Sequence, residues 1–227
     1  MKHFFLFISI LLSIPVCSQI RVVKLNPVSA AFGTASLSFE RVWDKQYSLN
    51  LTATYRPDIK GPDLLFSPSE EGWSLKGSQT TMWGGQIAYR WYTRKGRTQP
   101  TKPFFALFGQ HHQWQAQADY QEEQNTYRIS GEWNQTTIGL QYGVQWVIRD
   151  SFSIDLTLIG FGLAFGQLSG TGQTQGDPNI GLWEENLGAI PLIGQRILMR
   201  GTDEFYEFGE SYRTIGLHSA LRVGVLF

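Results

Sequence analysis

Residues 47–56 read Tyr-Ser-Leu-Asn-Leu-Thr-Ala-Thr-Tyr-Arg, and this stretch decides the fold. Tyr47, Leu49, Leu51, Ala53 and Tyr55 form one row, while Ser48, Asn50, Thr52, Thr54 and Arg56 form the other. Successive side chains of a strand point to opposite faces, so a strict period of two makes a strand with one apolar and one polar face. A tyrosine closes the apolar row at each end. A strand tilted by about 45° needs only about 9–11 residues to cross a bilayer.

The same alternation recurs along the chain. Segment 35–43 sets Ala35, Leu37, Phe39 and Trp43 against Ser36, Ser38 and Glu40, with Arg41 breaking the apolar row. Segment 83–92 sets Trp83, Ile87, Tyr89 and Trp91 against Gln86, Ala88 and Arg90. In 138–147, Ile138, Leu140, Tyr142, Val144 and Trp146 oppose Gly139, Gln141, Gly143 and Gln145. Segment 152–158 opposes Phe152, Ile154, Leu156 and Leu158 to Ser153, Asp155 and Thr157, then changes phase near Gly160 as a bulge would make it. The last segment, 212–227, opposes Ile215, Leu217, Leu221, Val223, Val225 and Phe227 to Gly216, His218, Ala220, Arg222 and Gly224.

Two segments complete a set of eight. Residues 21–31 read as a strand interrupted by Pro27, and 103–116 reads as a strand whose outward parity Phe104, Phe105 and Phe108 leave open. Tight joints at 44–46 and 149–151, with the basic turn 94–102, lie at one end. Long loops at 57–81 and 167–208, with an intermediate one at 117–127, lie at the other. The predicted fold class is all-β, a transmembrane antiparallel up-and-down β-barrel of eight strands, or ten if the apolar stretch 178–200 adds two.

Composition agrees. The 227 residues suit one domain, and Lys+Arg 19 against Asp+Glu 19 argues against a nucleic-acid binder. Only 17% are charged, while 24 Gly, 8 Trp, 9 Tyr and 15 Phe favour β structure over disorder. A mean hydropathy of −0.20 argues against several apolar helical spans. Met1-Lys2-His3, the apolar run 4–12 and Ser13 to Ser18 describe a signal peptide over 1–18, cleaved before Gln19, with the barrel domain over 19–227. The single Cys17 would leave with it. An acylated Cys17 is the competing reading, but Val16 and Pro15 suit a lipobox poorly.

Polar faces rich in Gly, Ser, Thr and Gln belong inside such a barrel, and the aromatic ends of the apolar rows belong at the membrane interfaces. The expected lumen network is Glu40, Arg56, Arg90, Asp155, His218 and Arg222, paired inside because a buried charge needs a partner. The expected girdle is Trp43, Tyr47, Tyr55, Trp83, Trp91, Trp146 and Phe227. An eight-stranded lumen is filled by side chains, so it should be plugged.

Lys24-Leu25-Asn26, Ser36-Leu37-Ser38-Phe39-Glu40, the stretch from Trp43 to Tyr55 and the terminal Phe227 resemble small eight-stranded outer-membrane barrels. They are most similar to an uncharacterised outer-membrane barrel family, with OmpA/OmpX-like barrels as architectural cousins. The resemblance implies the outer membrane of a Gram-negative bacterium and carries over no catalytic, cofactor-binding or metal residues.

Other constellations have plainer readings. His111 and His112 are neighbours on a strand and face opposite ways, which prevents a shared metal. The same divergence separates His218 from Ser219, so an enzyme is not expected and no cofactor is implied. Gly170 to Gly176 reads as a flexible loop, and Asp203, Glu204, Glu207 and Glu210 as a solvated rim rather than a Ca²⁺ site. Trp183, Ile190, Leu192 and Ile193 form the expected partner patch of the long loop.

The functional expectation is a structural or surface-interaction barrel acting through its extracellular loops 57–81 and 167–208. The competing readings are a small-solute channel or lipid-binding carrier, a lipid-modifying enzyme, and a soluble lipocalin-like barrel. The expected partners are outer-membrane lipid, the barrel-assembly machinery through the C-terminal strand, and a surface partner at those loops. The protein is expected to be a monomer.

Overall fold

The computed structural model describes residues 20–43, 46–60, 73–93, 101–122, 125–175, 198–202 and 205–227. The predicted signal peptide, most of the turn 94–102 and the partner patch Trp183, Ile190, Leu192 and Ile193 lie outside the described residues. The strands are β1 (Ile20–Leu25), β2 (Ala35–Trp43), β3 (Tyr47–Lys60), β4 (Trp73–Tyr92), β5 (Thr101–Glu122), β6 (Asn125–Ile148), β7 (Phe152–Gln175), β8 (Leu198–Thr202) and β9 (Phe205–Leu226). A short helix, α1 (Pro27–Ala31), follows β1.

Eight strands close into a ring in the order β1-β2-β3-β4-β5-β6-β7-β9, all pairings antiparallel, with β1 returning to β9. The seam is short: Val22 to Leu25 pair with Leu226 to Val223, and Arg21 and Phe227 exchange backbone hydrogen bonds of 3.1 and 3.0 Å. Closure leaves each strand of the seam with a partner on both sides there. Among the described residues β8 pairs only with the far end of β9, and the ring they close has eight strands.

The hairpin turns follow local chemistry. Arg149 and Asp150 both take positive φ (52° and 54°), and Ser151 N donates to Ile148 O at 3.2 Å, a turn centred on these two residues within the three-residue connection left by the pairing of Ile148 with Phe152. The register steps between Thr157 and Gly160, leaving Leu158 and Ile159 both half exposed on the outer face. That bulge moves the outward row of β7 from even to odd positions.

Three segments differ from the sequence expectation. Residues 27–31 are helical rather than strand, so Val28 leaves the row of Val23 and Leu25. The Asn26 side chain accepts from Ser29 N at 3.0 Å, Pro27 occupies the first turn, and Gly33 takes φ 74° just past the end. Those are helix start and stop signals, and they outweigh two apolar side chains in strand spacing. The expected loops are also shorter, because β3 reaches Lys60, β4 begins at Trp73, β5 and β6 run to within two residues of one another, and β7 reaches Gln175. Residues 170–175, expected as loop, pair with β6, and 170–173 pair with β9 as well.

Side chains alternate in and out as the register dictates. Leu37, Ile87, Leu107, Ile138, Leu163 and Leu217 lie on the outer face and are all more than half exposed. Phe105 and Leu107 settle β5: odd positions face out, while Phe104, Ala106 and Phe108 are buried within. The rest of the interior mixes Ser, Thr, Asn, Gln and charged residues with a few apolar ones such as Val22, Met82, Ala88 and Tyr92.

Candidate functional site

Toward the turn end of the ring, four oppositely charged side chains meet. Lys24 (β1), Glu40 (β2), Arg90 (β4) and Asp155 (β7) are each no more than 1% exposed. Alternation puts each on the inner face, and the register brings their heights together. Lys24 Nζ donates to both carboxylates, reaching Asp155 Oδ2 at 2.6 Å, and Arg90 donates to Asp155 while lying 3.5 Å from Glu40. Two cations face two carboxylates, so the set is neutral.

Neutral donors complete it. Tyr92 Oη donates to Glu40 Oε1 at 2.6 Å, Gln145 Nε2 to Glu40 Oε2 at 3.2 Å, and Ser48 Oγ donates to Glu40 as well. The Arg90 guanidinium also lies 4.4 Å from the centre of the Phe104 ring, inside the buried group Ala88, Tyr92, Phe104, Ala106 and Phe108. Arg90 and Asp155 belong to strands separated by β5 and β6 on one side of the ring and by β3, β2, β1 and β9 on the other. Their contact therefore crosses the lumen.

The other expected lumen residues form no ion pair with this set among the described residues, although Arg222 stands opposite Asp155 on the neighbouring strand. Arg222 faces inward at 2% exposure but donates to neutral groups, Gln86 Oε1 at 3.2 Å and Thr157 Oγ1 at 3.4 Å. His218 lies 5.8 Å from the Phe108 ring, and its Nε2 has no partner among the described residues. Arg56 stands further up the lumen, its Nε likewise without one. Lys24 and Tyr92, absent from the expected network, are central to it. The signal for Lys24 was its parity with Val22, opposite to the outward row of Val23 and Leu25.

Aromatic rings line the outer face near the turns. Trp43 and Tyr47 approach Tyr89 at 6.0 and 6.1 Å, Trp91 stacks on Phe105 at 6.1 Å, and Phe105 meets Tyr142 at 5.1 Å. Trp146 and Phe227 belong to the same end. Tyr55 and Trp83 pair at the other end of the apolar rows.

Beyond Trp83 the polarity inverts. The outward row continues as Thr81 and Gln79 on β4, Gln113, Gln115 and Gln117 on β5, Glu132 and Ser130 on β6, and Gln167, Ser169 and Thr171 on β7. The inward row of the same extensions carries Trp114, Trp133, Leu168 and Tyr212. Trp114 stacks on Trp133 at 4.6 Å, and Trp133 Nε1 donates to Tyr212 Oη. His111 faces out, its Nδ1 2.9 Å from Thr136 Oγ1, while His112 faces in against Trp114 at 5.3 Å.

A cavity of about 570 Å³ occupies the ring above the charged set, and Gln86, His112, His218 and Arg222 are on its inner wall. Among the described residues no group of three or more His, Cys, Asp or Glu is placed to hold a metal ion.

A protein family described as "Protein of unknown function (DUF3575)" matches residues 4–170. No curated protein matches the chain in sequence. Among solved structures, the chain is similar to a major outer membrane protein from Thermus thermophilus, at 8% identity and a TM-score of 0.45, covering 92% of this chain and 100% of that one.

Proposed function

The chain belongs to the DUF3575 family, whose description names no activity, and from that premise we propose on physical grounds an integral outer-membrane barrel of a Gram-negative envelope, closed at the charged set and acting at its surface. The observation that carries this reading is the polarity inversion. Every long strand exposes apolar side chains over one stretch and polar ones beyond it, although the direction of its side chains is unchanged. A medium that changes from hydrocarbon to water at one height accounts for this, because each row meets the solvent that suits it. From Trp83 to Trp91 the outward row rises roughly 20 Å at a tilt of about 40°, comparable to the ~25 Å apolar band of such barrels.

A soluble lipocalin-like barrel would turn Leu37, Ile87, Leu107, Ile138 and Leu217 inward. Conduction is disfavoured by Lys24, Glu40, Arg90 and Asp155 spanning the lumen, since an ion would have to separate a neutral, buried set. We assign no catalytic role, because His218 and Ser219 face opposite sides of β9. The extended strands stand in water above the band and offer a rigid platform for a surface partner. Membrane lipid is the partner of the apolar band, and β9, which supplies the closing seam, is the strand for the assembly machinery to read.

Carbonate washing of membranes tests this reading. The protein should stay in the outer-membrane pellet, and protease added to intact cells should cut within 61–72 or 176–197 while sparing 94–100. Release by carbonate, or cleavage confined to 94–100, contradicts it.

A further inference from the structure

We propose that the ring has a lateral opening beside α1, through which an anionic single-chain amphiphile, a fatty-acid-type carboxylate, enters from the lipid and binds Arg222. The proposal rests on the reading of the outer face as lipid-immersed.

The opening follows from the pairing of β9. On one side β9 pairs with β7 along almost its whole length. On the other side, β1 takes only Val223 to Leu226 and β8 only Phe205 to Gly209. Among the described residues, no strand pairs with that edge between Glu210 and Arg222. The short helix α1 packs there instead, beside β9 and β2. A helix cannot continue a strand ladder, so this part of the wall is held by side chains rather than by a continuous row of backbone bonds.

The cavity runs through this place. It touches His218, Ala220 and Arg222, which face inward, and also Ser219 and Leu221, which face outward on the same strand. On the side of the unpaired β9 edge it is lined by Val28 and Phe32, which are 47% and 75% exposed.

Its polarity is graded. The end beside α1 presents Val28 and Phe32; the inner wall presents Gln86, His112, His218 and Arg222. Arg222 is 2% exposed and makes no ion pair with a carboxylate among the described residues, and its Nε, Gln86 Nε2 and His218 Nε2 lack partners there. Asp155, opposite Arg222 on the neighbouring strand, already accepts from Lys24 and Arg90, so the buried cations Lys24, Arg90 and Arg222 outnumber the carboxylates Glu40 and Asp155 by one; that excess favours an anion, and a carboxylate accepts from a guanidinium with charge-assisted strength. The ligand therefore lies with its carboxylate inward and its tail past Val28 and Phe32 toward lipid. A volume of about 570 Å³ suits a molecule of this size.

The test uses the purified full-length barrel in nonionic detergent, titrated with the fluorescent fatty acid cis-parinaric acid and, separately, with its methyl ester. Wild type should bind the acid saturably. Arg222→Gln should weaken acid binding roughly tenfold or more while leaving the ester unchanged. Ser219→Trp, whose bulk lies on the outer face at the mouth, should weaken both probes. Heat-modifiable electrophoretic mobility reports whether each variant is folded, and Ser219→Trp decides the matter if Arg222→Gln is not. Absence of saturable binding to folded wild type overturns the site, as does unaltered acid binding in folded Arg222→Gln or folded Ser219→Trp. A wild-type protein that stays soluble without detergent overturns the membrane reading instead.

Discussion

Lys24 and Asp155 are 131 positions apart in the chain and meet at 2.6 Å inside the ring, both fully buried. The contact steps over β9 and ties β1 to β7, the two neighbours of the closing strand. The seam it spans is the shortest pairing in the ring, so one ion pair reinforces closure where backbone bonds are fewest.

Removing Asp155 tests this directly. Asp155→Asn leaves Lys24 and Arg90 facing Glu40 alone, an uncompensated buried charge that costs about 3–5 kcal/mol. The double variant Lys24→Met with Asp155→Asn restores neutrality through Arg90 and Glu40 and should recover most of the loss. Urea unfolding in liposomes, followed by heat-modifiable mobility, measures both. Equal destabilisation by the two variants would contradict a charge-balanced set.

The two-residue turn at Arg149 and Asp150 holds two side chains in the left-handed region, which costs about 1–2 kcal/mol per residue. Arg149→Asn with Asp150→Gly should therefore stabilise the hairpin by about 1 kcal/mol, read as a raised urea midpoint. A lowered midpoint would show that these side chains make contacts outweighing the strain.

Close approach decides which strand glycines tolerate a methyl group, Gly143 on the inner face or Gly85 on the outer one. A Cβ at Gly143 would lie 2.5 Å from the Phe104 ring and from Leu156 O, whereas one at Gly85 meets only Thr52 O at 3.4 Å. Gly143→Ala should cost about 1–3 kcal/mol and Gly85→Ala less than about 0.5 kcal/mol in the same unfolding assay. The reverse order would mean that Phe104 is free to move.

Much of this architecture was legible in alternation alone. Segments 35–43, 47–56, 83–92 and 138–147 declare their outward rows because one face is predominantly apolar, Arg41 being the charged exception. β5 did not, because Phe104, Ala106 and Phe108 fill the lumen while Phe105 and Leu107 face out, so both rows are apolar. The strand extensions were hidden for a related reason. Above Trp83, glutamine and serine face water while Trp114, Trp133 and Leu168 face in, and mixed rows such as Gln117-Ala118-Asp119 read as loop. The helix at 27–31 was written in Asn26, Pro27 and Gly33, whose capping signals compete with the strand spacing of Val23, Leu25 and Val28. Lys24 was missed because membership of the charged set depends on which strands face each other across the lumen. That is a property of register and closure, not of any one segment.

The central claim is that the outer face meets hydrocarbon below Trp83 and water above it. Bromolipid quenching of a fluorophore on single cysteines, introduced at Ile87, Leu140 and Leu163 and at Gln115 and Ser169 in a Cys17-free protein reconstituted in liposomes, measures this directly. The account predicts strong quenching at the first three positions and none at the last two. Equal quenching at all five, or quenching at Gln115 and Ser169 alone, would contradict it.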